Sequence, residues 1–407
     1  MKACCLVALL AVSLPIVFSG EAAALRTRLG DHFFVPDPLP ELAVRVHRRF
    51  QPAPGVAAEA LTYATQLGMR VPAILYRPDP LPAAGTCPAF VVVNGHGGDK
   101  YSWYAYFTGI AFARAGFVVL TYDPAGEGER NSTRRSGTRE HDRLQGDAVL
   151  ARRLAGLMIT DARQAVALLA GRPEVDRTRM AAGGYSMGSF VLALAGAIEP
   201  RLRAVVLVGG GNLDGIGGYW DRSKAMCQGL PYRSLEFLGD RAAALYALHA
   251  ARGPLLIWNG RADTVVNMPN TQDEFFTDLQ QRVAVRHGSR QTVFDFGFTP
   301  TASHRPYWLT EPVARWLGRQ LRVPAWTADP EHPLPTTHIA TWAQRTGAAM
   351  DRLYATEERE GGTRAVGVDV PGIAREELSV LSVEEWERAK PSLVFEMWVA
   401  RARQSGG

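Results

Sequence analysis

Cysteine is scarce: the chain has four in 407 residues. Cys4 and Cys5 lie in the first apolar stretch, which leaves Cys87 and Cys227 in the rest of the chain. That excludes a disulfide-dense scaffold. Cys87 opens one apolar run and Cys227 follows the far end of another. In a parallel sheet those are opposite ends, which argues against a bridge between them. Long apolar runs are also lacking, and after residue 24 none is long enough to cross a membrane. There is no dense basic stripe. The net charge is +5, and its basic side is almost all arginine, scattered among acids. No nucleic-acid partner is therefore expected. No His/Cys group falls at metal-ligand spacing along the chain, so no metal is expected. No repeat recurs at a fixed period.

What is present is a composition able to bury a large core. It is 47% hydrophobic and 21% charged, at a length that suits one large catalytic domain or two smaller ones. The first 24 residues read as a secretory signal peptide. Lys2 supplies a positive start, Ala3 to Phe18 is almost entirely apolar, and Ala22 and Ala24 are the small residues before a cut after Ala24. Cys4 and Cys5 lie at the start of the apolar region, so lipoprotein processing does not fit. A secreted or periplasmic product follows, with no membrane insertion after cleavage.

Residues 25–57 form a Pro-punctuated N-terminal arm with one amphipathic piece, Glu41–Phe50. Ala58–Gln66 and Met69–Tyr76 flank Leu67-Gly68 and read as a β-hairpin. From Ala89–Val93 onward, apolar strand-like runs alternate with helical patterns. Further strands are expected at Phe117–Tyr122, Met180–Gly184, Ala204–Val208, Pro254–Trp258 and Thr292–Phe296. Alternation of this kind predicts an α/β fold, a mostly parallel central sheet with helices on both faces. The catalytic domain is bounded at 58–323, with residues 212–252 as a helical cap over its site. Residues 324–407 form a C-terminal extension, either a small added domain or a tail packed on the main body. Within it Thr336–Arg352 reads as helix and Arg364–Val368 as strand. Val383–Arg403 reads as one helix or as a pair broken near Pro391.

Chemistry in such sheets gathers at the carboxyl ends of the strands. Gly184-Tyr-Ser-Met-Gly188 joins a strand to an Ala-rich helix. The two glycines permit a sharp turn that exposes the Ser186 hydroxyl and puts the next N–H groups at a helix N-terminus. A serine hydroxyl is a weak nucleophile and needs a base. His304 follows the last expected strand and suits that role; Asp263 follows the preceding one and can hold the imidazole tautomer. The order Ser186, Asp263, His304 is the one this elbow uses. An oxyanion hole needs two backbone donors. Met187 supplies one, and the His96-Gly97-Gly98 loop is expected to supply the other, from Gly98 or else Gly97. Tyr185, Glu127 and Trp220 are candidate substrate contacts. Tyr232, Phe237 and Leu238 either line the cap with Trp220 or pack ordinarily. His96 is read as structuring its loop and Asp123 as holding the tight turn Asp123–Arg130. Glu127 and Arg130 either face the site or pair with each other. No cofactor is required.

These residues resemble the α/β-hydrolase superfamily. Within it they resemble the secreted bacterial branch of acetyl xylan esterases, cephalosporin-C deacetylases and dienelactone-hydrolase-like proteins. The resemblance rests on Gly68–Pro78, Gly95-His-Gly-Gly98, Asp123–Arg130, Pro173–Asp176, Gly184–Gly188, Asp263 and His304, and spans Ala58 to Leu321. Two departures qualify it. Acetyl xylan esterases of that branch carry Arg-Gly-Gln-Gly where this chain has Ala125-Gly-Glu-Gly128. Dienelactone hydrolases use cysteine where this chain has Ser186. The resemblance implies hydrolysis of a small-molecule or polysaccharide ester through an acyl-enzyme, with a sugar acetyl ester as one candidate. A prolyl-oligopeptidase-like peptidase is the enzymatic alternative, although no room exists before Ala58 for the usual propeller. A non-catalytic binding protein of the same fold is the other.

Overall fold

The computed structural model describes residues 14–144, 146–215, 227–271, 273–289, 294–327, 334, 363 and 370–405. Its centre is a nine-stranded sheet in the order β1-β2-β3-β5-β4-β6-β7-β8-β9. The strands are β1 (Arg45–Ala53), β2 (Val56–Ala64), β3 (Arg70–Pro78), β4 (Cys87–Val93), β5 (Val118–Tyr122), β6 (Val175–Tyr185), β7 (Ala204–Val208), β8 (Leu255–Gly260) and β9 (Asp295–Thr299). β1 to β3 are antiparallel, β3 joins β5 antiparallel, and β4 to β9 run parallel. This is the expected mostly parallel α/β sheet with an antiparallel edge.

The helices are α1 (Leu14–His32), α2 (Trp103–Arg114), α3 (Ala148–Ala170), α4 (Met187–Ile198), α5 (Gly229–Arg233), α6 (Arg241–Ala250), α7 (Asp273–His287), α8 (Glu311–Leu321) and α9 (Pro324–Thr327). Both faces of the sheet are buried, and alternation along β4 shows how. Cys87, Ala89, Val91 and Val93 enter one apolar core with α1, α3, α4, α6 and α7. Phe90 and Val92 enter the other, with α2 and α8. The strands are therefore continuous apolar runs in sequence. The chain passes from β4 to β5, then crosses back through α3 to β6 on the other side of β4. That reversal opens a crevice at the carboxyl ends of β4 and β6.

Several expectations shift. Glu41–Phe50 belongs largely to a strand, β1, whose polar residues stand exposed at the sheet edge. The last strand lies three residues later than expected. Of the anticipated cap, residues 216–226, including Trp220, lie outside the described residues. α6 at its far end is the crossover helix between β7 and β8. Tyr232 and Leu238 are buried in the core, and Phe237 packs against His32. Thr336–Arg352 and Arg364–Val368 lie outside the described residues.

The C-terminal segment 371–405 is a tail packed on the body. Its two longer helices, Val383–Leu393 and Phe395–Gln404, break at Val394 rather than at Pro391, which lies inside the first. Glu129 accepts the N–H groups of Val380 and Leu381, and Trp386 Nε1 donates to Glu129 O at 2.9 Å. Arg401 donates to Leu67 O at 2.6 Å. At the other terminus, Ala22 is buried, and Arg26 donates to Ala197 O and Leu248 O, both at 3.1 Å. Among the described residues no helix is long and apolar enough to cross a membrane.

Candidate active site

The turn after β6 is as sharp as the sequence implies. Ser186 has φ 55° and ψ −114°. A non-glycine residue held there is strained, and such strain gathers at functional positions. The turn is anchored by Ser186 N–H donating to Val208 O at 2.9 Å. The flanking glycines are obligatory on packing grounds: a methyl at Gly188 would strike Val93 O, and one at Gly184 would strike Gly188 O. α4 begins at Met187, so its first N–H groups point out of the helix with no intrahelical acceptor.

His304 and Asp263 meet beside this turn. His304 Nδ1 lies 2.7 Å from Asp263 Oδ2. Asp263 is fully buried, and its Oδ1 accepts from Val265 N at 3.0 Å and Val266 N at 3.3 Å. The carboxylate is thus fixed in rotation with one oxygen turned to the imidazole. The ring lies against the residue following Val208, since a methyl on Gly209 would sit 2.7 Å from His304 Cε1. Val208 is the residue whose carbonyl holds Ser186. Tyr185 braces the base from below, its ring 4.9 Å from the His304 ring and its hydroxyl donating to His304 O at 3.3 Å. It is 4% exposed.

The loop after β4 engages the amides of both expected donors. Gly98 N–H donates to Gly95 O, and Gly97 N–H to Glu127 Oε1, each at 3.0 Å. Gly95 abuts the serine: a methyl there would lie 2.9 Å from Ser186 Cβ. His96 is the residue that follows this close approach. Glu127, another expected contact, is held by backbone amides. It is fully buried, and its carboxylate also accepts from Arg139 N and Thr138 N, each at 3.1 Å. It joins the His96 loop to the 138–142 loop.

Behind that loop is a buried charge group. Lys100 Nζ lies 2.6 Å from Asp123 and 2.9 Å from Glu129, with all three side chains inaccessible to solvent. Burial alone lowers the Lys100 pKa, but the two carboxylates outweigh it and hold the ammonium charged. Asp123 also accepts Glu129 N at 2.9 Å, which makes it the turn-holding residue expected. Arg130 does not pair with Glu127; it binds Asp161 at 2.5 Å.

Cys87 and Cys227 are both free and buried. Cys227 comes instead to His96, with Sγ 3.4 Å from Nε2. His141 and Asp142 complete a group of four potential metal ligands. The absence of ligand spacing along the chain concealed it, because the fold draws its members from distant segments. Burial, then the neighbouring His96, lowers the His141 pKa to about 3. Burial, then Asp142, raises that of the Cys227 thiol.

A doubly wound sheet with a strained serine at its switch point and an imidazole–carboxylate pair beside it defines a class of hydrolytic fold. The comparisons place the chain in it. A model of the alpha/beta hydrolase family matches residues 90–371, and the chain belongs to that family. Among solved structures, a glucuronoyl esterase from Teredinibacter turnerae is similar over 76% of this chain and 86% of its own, with 15% identity and a TM-score of 0.54. A methylesterase is similar over 85% and 78%, with 18% identity and a TM-score of 0.51. An acetyl xylan esterase from Thermoanaerobacterium sp. is similar over 74% and 93%, with 20% identity and a TM-score of 0.49. At these identities the likeness is one of fold. No curated protein matches the chain in sequence.

Proposed function

We propose that this α/β hydrolase cleaves carboxylic esters through an acyl-enzyme on Ser186. The observation that carries the reading is the 2.7 Å contact between His304 Nδ1 and a buried, rotationally fixed Asp263, set beside the strained Ser186 turn. Asp263 keeps the proton on Nδ1, so Nε2 presents a lone pair to the serine hydroxyl. Ser186 Oγ attacks the ester carbonyl as Nε2 takes its proton. The oxyanion is stabilised by the N–H groups of Met187 and His96. His304 returns the proton to the leaving alcohol, then activates the water that releases the acid.

A carbohydrate ester is the substrate class we favour. The likeness to a glucuronoyl esterase and a methylesterase supports it, together with the leader expected at residues 1–24 and a secreted or periplasmic location. The expected cut after Ala24 falls within α1; the N-terminal residue of the exported protein tests it directly. For the chemistry, wild type hydrolyses p-nitrophenyl acetate and Ser186→Ala does not. Equal turnover by the two proteins would refute the mechanism, and faster cleavage of peptides than of esters would favour a peptidase. A panel of acetylated sugars, uronate esters and aryl esters assigns the substrate.

A further inference from the structure

Ester cleavage as proposed leaves the group His96, His141, Asp142 and Cys227, of which His141 and Cys227 are buried, without a chemical task. One donor atom from each lies within 4.8 Å of the others. His96 Nε2 is 3.3 Å from Asp142 Oδ1 and 3.4 Å from Cys227 Sγ. Ligands at zinc bond lengths of about 2.0–2.3 Å in a tetrahedron stand ~3.3–3.8 Å apart. Two edges therefore already have the length required, and closing the others takes about 1.5 Å or less.

A second observation is independent of these distances. His141 is fully buried and its Nδ1 donates to Ala125 O at 2.7 Å. Nothing among the described residues hydrogen-bonds its Nε2. A buried ring nitrogen with no partner is unusual and calls for an explanation. A metal-bound histidine typically donates its other ring N–H to a carbonyl, which leaves the ligating nitrogen bare. Asp142 is oriented in the same way. Arg139 holds its Oδ2 through Nε at 2.8 Å and a terminal nitrogen at 2.5 Å, leaving Oδ1 toward His96.

We propose that His96, His141, Asp142 and Cys227 bind one zinc ion. Two imidazoles, a thiolate and a carboxylate favour zinc over magnesium or calcium, which prefer oxygen ligands. Coordination removes the thiol proton outright. Four protein ligands close the site, so the ion has a structural role and activates no water. It ties together the loop after β4, the 140–144 turn and the chain entering α5. Through His96 it fixes the backbone beside Ser186. Metal binding stands whether or not Ser186 is the nucleophile.

The test uses the full chain, stripped with chelator and titrated with zinc chloride or cobalt(II) chloride. Wild type takes up one equivalent of zinc. Its cobalt form shows the visible bands of a tetrahedral ion and a near-ultraviolet thiolate charge-transfer band. Cys227→Ser loses that charge-transfer band. His141→Gln retains the thiol but weakens zinc binding beyond the roughly 10–100-fold that loss of a single outer-shell partner costs. Circular dichroism reports whether each variant folds; if neither does, the wild-type stoichiometry and cobalt spectrum decide alone. Substoichiometric zinc in wild type, cobalt bands without thiolate character, or undiminished zinc affinity in both folded variants would overturn the proposal.

Discussion

Replacing Asp263 by asparagine changes one oxygen to an amide nitrogen and leaves the shape of the site intact. The surrounding donors dictate the outcome. Val265 and Val266 both donate to Oδ1, so the asparagine carbonyl must occupy that position. The opposite orientation would set the amide NH2 against two backbone donors. The NH2 group therefore takes the place of Oδ2, 2.7 Å from His304 Nδ1. Two donors cannot share that contact, so the imidazole shifts its proton to Nε2. The lone pair that should accept the Ser186 proton is then lost. In a comparable triad the same change lowers kcat by about 10⁴. At about 1.36 kcal/mol per decade, that is a barrier increase of about 5 kcal/mol. Substrate affinity, which does not depend on the tautomer, is expected to hold. Steady-state hydrolysis of p-nitrophenyl acetate gives kcat and KM separately, and a thermal melt confirms that the variant is folded. A folded Asp263→Asn protein within about tenfold of wild type would refute the assignment of His304 and Asp263.

Three further outcomes follow from the same contacts. Glu127→Gln keeps an acceptor for Gly97 and Arg139 but turns an NH2 group toward Thr138 N–H, at a cost of about 1–3 kcal/mol in thermal or denaturant stability. Its kcat falls with little change in KM, and an unaltered kcat would remove Glu127 from the support of the His96 loop. Lys100→Met leaves Asp123 buried without its cation, while Glu129 keeps Arg134 at 2.9 Å, and destabilises the fold by about 3–5 kcal/mol. A melt unchanged from wild type would contradict the charged state of that group. Burial lowers the His249 pKa to about 4, below the unfolded value of about 6.5. In that window the unfolded chain binds a proton that the folded chain does not. Stability is therefore lost as pH falls through it, by about 3 kcal/mol in all. His249→Gln, compared with wild type in melts at about pH 7 and about pH 4, should show a smaller loss; an equal loss assigns the effect elsewhere.

Much of this arrangement was legible in the sequence. Buried parallel strands are continuous apolar runs; Ser186 and Asp263 each follow the end of one, and His304 follows the half-exposed edge strand β9. The residues that escaped did so for identifiable reasons. β1 is an edge strand whose exposed face is Arg-rich, so it lacks the apolar alternation that marks a strand. Gly97 and Gly98 stood out as permissive positions, yet their amides are taken by Glu127 and Gly95, and His96 beside them carries no backbone signature. Glu127 binds three backbone amides from two loops, which no pairing of side-chain types reveals. The His/Cys cluster is assembled from segments that meet only in the folded chain.

The tail has a consequence for how the protein is made. Glu129, behind the candidate site, is held by Val380, Leu381 and Trp386, which lie some 250 residues later in the chain. Synthesis runs from the N-terminus, so the loop carrying Glu129 leaves the ribosome long before its partners exist. Folding of that region is completed only when the last residues arrive. A nascent or truncated chain ending before residue 371 lacks this lock.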